Sequence, residues 1–177
     1  MEKSRKKNIY LVGLMGAGKT VIGKNLAKRL KLNFRDSDHV IEEHTGVRIS
    51  TIFEIEGEDG FRRREAQTIA ELSELEETVV STGGGAVLYE ENRLKMKSSG
   101  FVIYLNVPPR VLWERLRYDR ERPLLNVPDP LLKLQELFRA RDALYRDAAD
   151  LVVNGERMKM QTILLRLISE MGERWKP

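Results

Sequence analysis

The chain has no cysteine, and that absence excludes a disulfide scaffold and any thiolate chemistry. Aromatic residues are scarce, at 7%, too few for the interleaved aromatic and basic platform on which single-stranded nucleic acids stack. No apolar run approaches the roughly 20 residues that a bilayer span requires, so no membrane partner is expected. The stretch Met1–Lys7 is charged and leads straight into an apolar strand pattern, which leaves no room for a secretory h-region. A cytoplasmic location is the expectation. Also missing are a repeat at a period of roughly 20–50 residues, a low-complexity linker, and the Asn-Lys-x-Asp motif that a guanine-reading switch would use. The 177 residues therefore read as one domain, 1–177, long enough to bury a core.

A net charge of +4 can be read two ways. It could mark a nucleic-acid surface, or arginines gathered to handle a triphosphate and an anionic substrate. Acidic residues are interleaved nearly throughout, and the longest basic runs are the one ending at Lys7 and Arg62-Arg63-Arg64. No nucleic-acid partner is expected, and the N-terminal lysines read as a solvated tail.

What the chain does contain is Gly13-Leu-Met-Gly-Ala-Gly-Lys-Thr20, which fits the phosphate-loop template G-x-x-x-x-G-K-[ST]. The apolar run Ile9-Tyr-Leu-Val12 before it reads as a buried strand. The segment after it carries Ile22, Leu26, Ala27 and Leu30 at helical spacing. Strand, loop and helix N-terminus make a cradle of backbone N–H groups from Gly13, Gly16, Ala17 and Gly18, reinforced by the helix dipole. Lys19 can reach the β- and γ-phosphates, and the Thr20 hydroxyl can ligate Mg²⁺. A nucleoside triphosphate is the predicted ligand.

Strand and helix patterns alternate along the chain. Strands read at 8–12, 33–35, 78–81, 101–105 and 151–153. Helical patterns read at 19–31, 38–45, 50–56, 60–76, 90–98, 109–117, 130–147 and 157–172. This rhythm predicts a three-layer α/β/α fold around a central five-stranded parallel sheet. The charged, proline-rich segment Arg117–Pro130 interrupts the rhythm, and a long loop of that kind reads as a lid or binding loop.

Asp36-Ser-Asp38 follows the second strand. On an extended segment, carboxylates at i and i+2 point to one side, and ligands of open α/β sheets bind beyond the strands' carboxyl ends. One carboxylate can help hold Mg²⁺ and its waters while the other accepts a proton from an attacking hydroxyl. The plainer alternative is Asp38 as a helix N-cap. Of the three successive arginines 62–64, helical rotation allows at most one or two to enter a cleft. Gly83-Gly-Gly85 at the end of the third strand lets backbone N–H groups approach a ligand with no Cβ in the way. An aspartate closing an apolar strand, the usual partner of a phosphate loop, is absent, and Asp36 is expected to take its part.

Taken together, the phosphate loop, Asp36-Ser-Asp38, Gly-Glu-x-x-Phe-Arg-x-x-Glu at 57–65, Ser-Thr-Gly-Gly-Gly at 81–85, Arg-Pro-Leu-Leu at 122–125 and Arg-x-x-Leu-Tyr at 141–145 resemble the shikimate kinase family. The resemblance implies a P-loop NTPase fold, a shikimate-binding segment at about 36–65, and a lid at about 116–130. It implies ATP and shikimate as the ligands, Mg²⁺ as the cofactor, and a monomer. Asp38 would act as base on the acceptor hydroxyl, with Asp36 reaching the metal through water. Arg62 and Arg141 would clamp the shikimate carboxylate, and Gly83, Gly84 and Gly85 would line the substrate. Arg122 would be the lid arginine over the transferring phosphoryl, and Arg115 and Arg157 would border the adenine. A related small kinase with a gluconate or nucleoside monophosphate acceptor is the alternative enzyme, and a nucleotide-gated switch is the alternative class. His39, His44, Trp113, Tyr118, Met158 and Met160 read as surface or packing residues.

Overall fold

The central strands are apolar runs because a residue buried from both sides must be apolar on both faces of the pleat. In the computed structural model, which describes residues 8–155 and 159–175, the five strands are β1 (Asn8–Val12), β2 (Asn33–Asp36), β3 (Thr78–Ser81), β4 (Gly100–Asn106) and β5 (Leu151–Asn154). They pair in parallel throughout, in the order β2-β3-β1-β4-β5. Ile9, Tyr10, Leu11 and Val12 at the centre are inaccessible to solvent, whereas the edge strand β2 alternates exposed and half-buried residues. The fully buried Asn8 locks the sheet's lower end, its Nδ2 donating to Leu75 O and its Oδ1 accepting from Thr78 N.

The helices are α1 (Lys19–Leu30), α2 (Ser37–Thr45), α3 (Ile49–Ser73), α4 (Glu90–Ser99), α5 (Pro109–Leu116), α6 (Pro130–Ala148) and α7 (Met160–Met171). Helices α1 and α7 pack together against the sheet, while α3, α4 and α6 form a second packed group. The chain leaves β1 toward β2 and β3 on one side and toward β4 and β5 on the other, so β1 marks the topological switch point. The phosphate loop follows β1, which puts it at the crevice such sheets use for ligands.

Several predicted boundaries move. The helical patterns at 50–56 and 60–76 belong to α3, which is interrupted at Gly57 (φ 71°, ψ −177°) and ends at Ser73. Beyond that end Glu77 turns left-handed (φ 52°), and its carbonyl accepts from Asn33 N at 2.9 Å, tying the turn to β2. The loop predicted at 117–130 is not featureless: Pro123–Leu125 form a 3₁₀ turn, and Asp129 caps α6 by accepting from Leu132 N. Among the described residues no helix is long and apolar enough to cross a membrane.

Candidate active site

The phosphate loop closes on itself. Gly16 (φ 78°) and Gly18 (φ 96°) take left-handed conformations that a side chain would strain, and they turn the chain into α1. No side chain caps α1, and its first turn carries no acidic residue. The leading amides of that helix are therefore left for an anion. Lys19 is buried, with Nζ donating to Gly13 O at 2.7 Å and Leu14 O at 2.9 Å across the loop. Burial pulls its pKa down to about 8, against the opposing pull of Asp38.

Strand pairing brings the oxygen ligands to the loop. Asp36 lies in register with Ser81, the last residue of β3. Thr20 Oγ1 donates to Asp36 Oδ2 at 2.7 Å and stands 3.3 Å from Ser81 Oγ. One carboxylate and two hydroxyls therefore meet beside Lys19. That hard-oxygen set fits Mg²⁺, which ordinarily takes one or two carboxylates and completes its shell with phosphate and water. Among the described residues no group of three or more Asp, Glu, His or Cys could hold a metal unaided, in keeping with a site that relies on the nucleotide for part of the shell.

The geometry predicted for the aspartate pair needs correction. The strand ends at Asp36 and α2 begins at Ser37, so the two carboxylates do not share an extended segment. Asp36 is the N-cap, its Oδ1 accepting from Asp38 N (3.0 Å) and His39 N (3.4 Å). Capping therefore falls to Asp36, and Asp38 is free of it. Asp38 projects from the first turn with Oδ1 buried and unpartnered. Burial, helped by the neighbouring Asp36 charge, pushes its pKa up to about 6, against the pull of Lys19 and Arg122.

On the other side of Asp38 lies a second cluster. Arg62 is buried while Arg63 and Arg64 are exposed, so one arginine of the three enters the cleft. Its Nη1 donates to Glu65 Oε1 at 2.9 Å and its Nη2 to the half-exposed Glu58 at 3.2 Å. Nε is buried without a partner, and an incoming carboxylate can take the Nε–Nη2 edge by displacing Glu58. Arg141, on α6, is also buried, with Nη1 unpartnered. Glu65 is almost fully buried, and burial lifts its pKa to about 7 against the pull of Arg62. Its Oε2 has no partner.

The glycine run has a reason beyond backbone approach to a ligand. None of Gly83, Gly84 and Gly85 has positive φ. A Cβ on Gly83 would lie 2.5 Å from Glu65 Oε2 and 2.9 Å from Asp38 Oδ1, and one on Gly85 would overlap the Arg62 guanidinium. Gly83 and Gly85 make room for the charged side chains, whereas a Cβ on Gly84 would meet nothing nearer than 3.4 Å. Gly83 N–H is already engaged by Ser37 Oγ at 3.0 Å, and the Tyr145 hydroxyl donates to Gly84 O.

Arg122 borders both the cavity over Lys19, Thr20 and Asp36 and the one over Arg62, Glu65 and Arg141. Arg115 donates to Gly16 O at 3.1 Å beside a mainly apolar cavity lined by Val21, Leu105, Val107, Val153 and Ile163, a surface fit for a flat heterocycle. Arg157 and Met158 lie outside the described residues. His39 and His44 are exposed and pair with Glu43 and Glu71, as packing or surface residues would. Tyr118 is exposed, and Trp113 packs against the core.

Sequence reasoning missed Glu65, Tyr145 and Ser81 as parts of this site. The Arg62–Glu65 spacing of i, i+3 was a usable signal. Ser81 opens the motif at 81–85, but its place beside Thr20 and Asp36 comes from strand register.

The model of the family described as shikimate kinase matches residues 15–172 of this chain. A shikimate kinase of Dechloromonas aromatica (strain RCB) is 56% identical over 165 residues, covering 93% of this chain and 90% of the relative. One of Neisseria gonorrhoeae is 54% identical over 161 residues, covering 90% and 95%. Among solved structures, shikimate kinase from Acinetobacter baumannii in complex with shikimate superposes with a TM-score of 0.93 at 41% identity, over 97% of this chain and 96% of that one.

Proposed function

The chain belongs to the shikimate kinase family, and from that premise we propose how its residues divide the work. It is an ATP-dependent kinase that phosphorylates a hydroxyl of shikimate. The acceptor is the 3-hydroxyl, and the products are shikimate 3-phosphate and ADP.

Lys19 and the free amides of α1 hold the β- and γ-phosphates, and the apolar cavity beside Arg115 takes the adenine. Thr20 would hold Mg²⁺, with Asp36 reaching it through water, and the ion would supply neutralisation of phosphate charge. Asp38 accepts the proton of the attacking hydroxyl. Arg62 and Arg141 clamp the shikimate carboxylate, with Gly83–Gly85 as the floor that lets these side chains approach. The segment about 36–65 thus forms the acceptor side and the loop about 116–130 the lid, with Arg122 over the transferring phosphoryl. Every side chain given a role lies on one chain, so a monomer suffices, and nothing in the scheme calls for nucleic acid or membrane.

One observation carries this reading. Asp38 Oδ1, Arg62 Nε, Glu65 Oε2 and Arg141 Nη1 are all buried without partners, and Asp38, Arg62, Glu65 and Arg141 all line one small cavity. Buried polar atoms are ordinarily paired, and two cations beside carboxylates suit a ligand that carries both a carboxylate and hydroxyls. Shikimate methyl ester tests it. Losing the carboxylate charge leaves the buried Arg141 Nη1 and Arg62 Nε without the acceptor proposed for them, so kcat/KM is expected to fall at least about 30-fold. An ester used as well as the free acid would refute the clamp.

A pH profile checks the acid–base assignment. Asp38 works deprotonated, and its pKa lies near 6 in the free protein. Lys19 works protonated, and its pKa lies near 8. The kcat/KM for ATP is therefore expected to be bell-shaped, falling as pH drops through about 6 and as it rises through about 8, because this ratio reports the free enzyme. Saturating ATP should move the basic limb upward, since phosphate charge favours the ammonium. An acid limb near pH 4, the ordinary aspartate value, would contradict the raised pKa of Asp38.

A further inference from the structure

The lid arginine is held by a carboxylate that belongs to none of the roles above. Asp119 lies just beyond α5, where its N–H donates to Leu116 O at 2.8 Å. Its Oδ1 accepts from Glu121 N at 2.9 Å, and its Oδ2 accepts from Arg122 Nε at 3.2 Å. One carboxylate thus ties the turn of the lid to the end of α5 and grips the arginine by its inner nitrogen. The hydrogen bond from Glu121, with Arg122 adding to it, holds the Asp119 carboxyl below the usual carboxylate range, so it stays charged at neutral pH. Among the described residues Nη1 and Nη2 of Arg122 have no protein partner, and the side chain borders the cavity over Lys19, Thr20 and Asp38.

We propose that Asp119 is a positioning residue for phosphoryl transfer. By occupying Nε it fixes the plane of the Arg122 guanidinium and leaves the end-on Nη fork for phosphoryl oxygens. A guanidinium has five donors in a rigid plane. Fixing one edge therefore aims the other, and aim is most of what phosphoryl transfer asks of a protein. The exposed Arg120 has no such anchor and borders neither of the two cavities that Arg122 joins. This inference rests on Arg122 as the phosphoryl clamp.

The test is a set of kinetic comparisons among Asp119→Ala, Asp119→Asn, Arg122→Ala and the Asp119→Ala/Arg122→Ala double variant, with thermal melts to verify folding. Asp119→Ala is expected to lower kcat about tenfold, the loss of one charge-assisted hydrogen bond. The KM for shikimate should stay within about twofold, because the carboxylate clamp is untouched. The asparagine keeps an oxygen for Glu121 N–H and loses the charge that holds Arg122. It is therefore expected to restore the melting temperature without restoring kcat. In the Arg122→Ala background, Asp119→Ala should have no further effect on kcat.

Wild-type kcat in Asp119→Asn would show that Asp119 serves only the turn and would overturn the proposal. A raised kcat in Asp119→Ala would also overturn it, by making Asp119 a restraint on Arg122. An equal loss in both backgrounds would show that Asp119 does not act through Arg122. If Arg122→Ala lowers kcat and Asp119→Ala does not, positioning fails and the clamp stands. If Arg122→Ala itself has wild-type kcat, both fail.

Discussion

Lys19→Ala is expected to abolish useful turnover, with kcat falling by at least about 10³. Removing a single donor from a preorganised anion site already costs about 10²–10³. Lys19 is in addition the only cationic side chain of the phosphate loop. Its ammonium is pinned by Gly13 O and Leu14 O before any nucleotide arrives, so the charge is pre-positioned and little reorganisation is left for the reaction. Truncation also removes those two hydrogen bonds, and a thermal melt must accompany the kinetics. A folded Lys19→Ala protein with wild-type kcat would sink the phosphate-site assignment.

Arg122→Ala is expected to lower kcat by about 10³, at the low end of what an arginine contributes to stabilising a transferring phosphoryl group. Shikimate binding should be nearly intact, because the proposed carboxylate clamp is Arg62 and Arg141, both buried, and Arg122 is not part of it. Calorimetric titration of shikimate beside steady-state kinetics separates the two effects. A large loss of shikimate affinity with kcat unchanged would move Arg122 from the phosphoryl group to the acceptor. No change in either would hand the lid role to Arg120.

Much of this architecture was legible in the residues. Where a strand is buried on both faces, as at Ile9–Val12 and Phe101–Leu105, hydrophobicity alone marks it. The phosphate loop was legible because its glycines answer a backbone demand, and Gly16 and Gly18 do sit at positive φ. The break in α3 was foreshadowed by Gly57 in the same way.

The features that were hidden depend on three-dimensional register or on side-chain crowding. The i, i+2 rule failed for Asp36 and Asp38 because a helix starts directly after the strand ends; the cap is Asp36 and not Asp38, which leaves Asp38 the candidate base. The role of Ser81 follows from strand pairing that brings β3 beside β2. The glycines at 83–85 read as a backbone device, and Gly83 and Gly85 in addition accommodate the bulk of Arg62, Glu65 and Asp38. Glu65 showed only as a spacing from Arg62, and its burial could not be read from a chain that is 33% charged.

The account stands most directly on ADP release from Mg²⁺–ATP, measured with shikimate and, in parallel, with quinate, with gluconate and with no acceptor. The expected result is release that depends on shikimate and yields a phosphorylated shikimate, with little release in the other three reactions. Release that ignores shikimate and follows another acceptor would leave the phosphate site standing and contradict the carboxylate clamp built from Arg62 and Arg141.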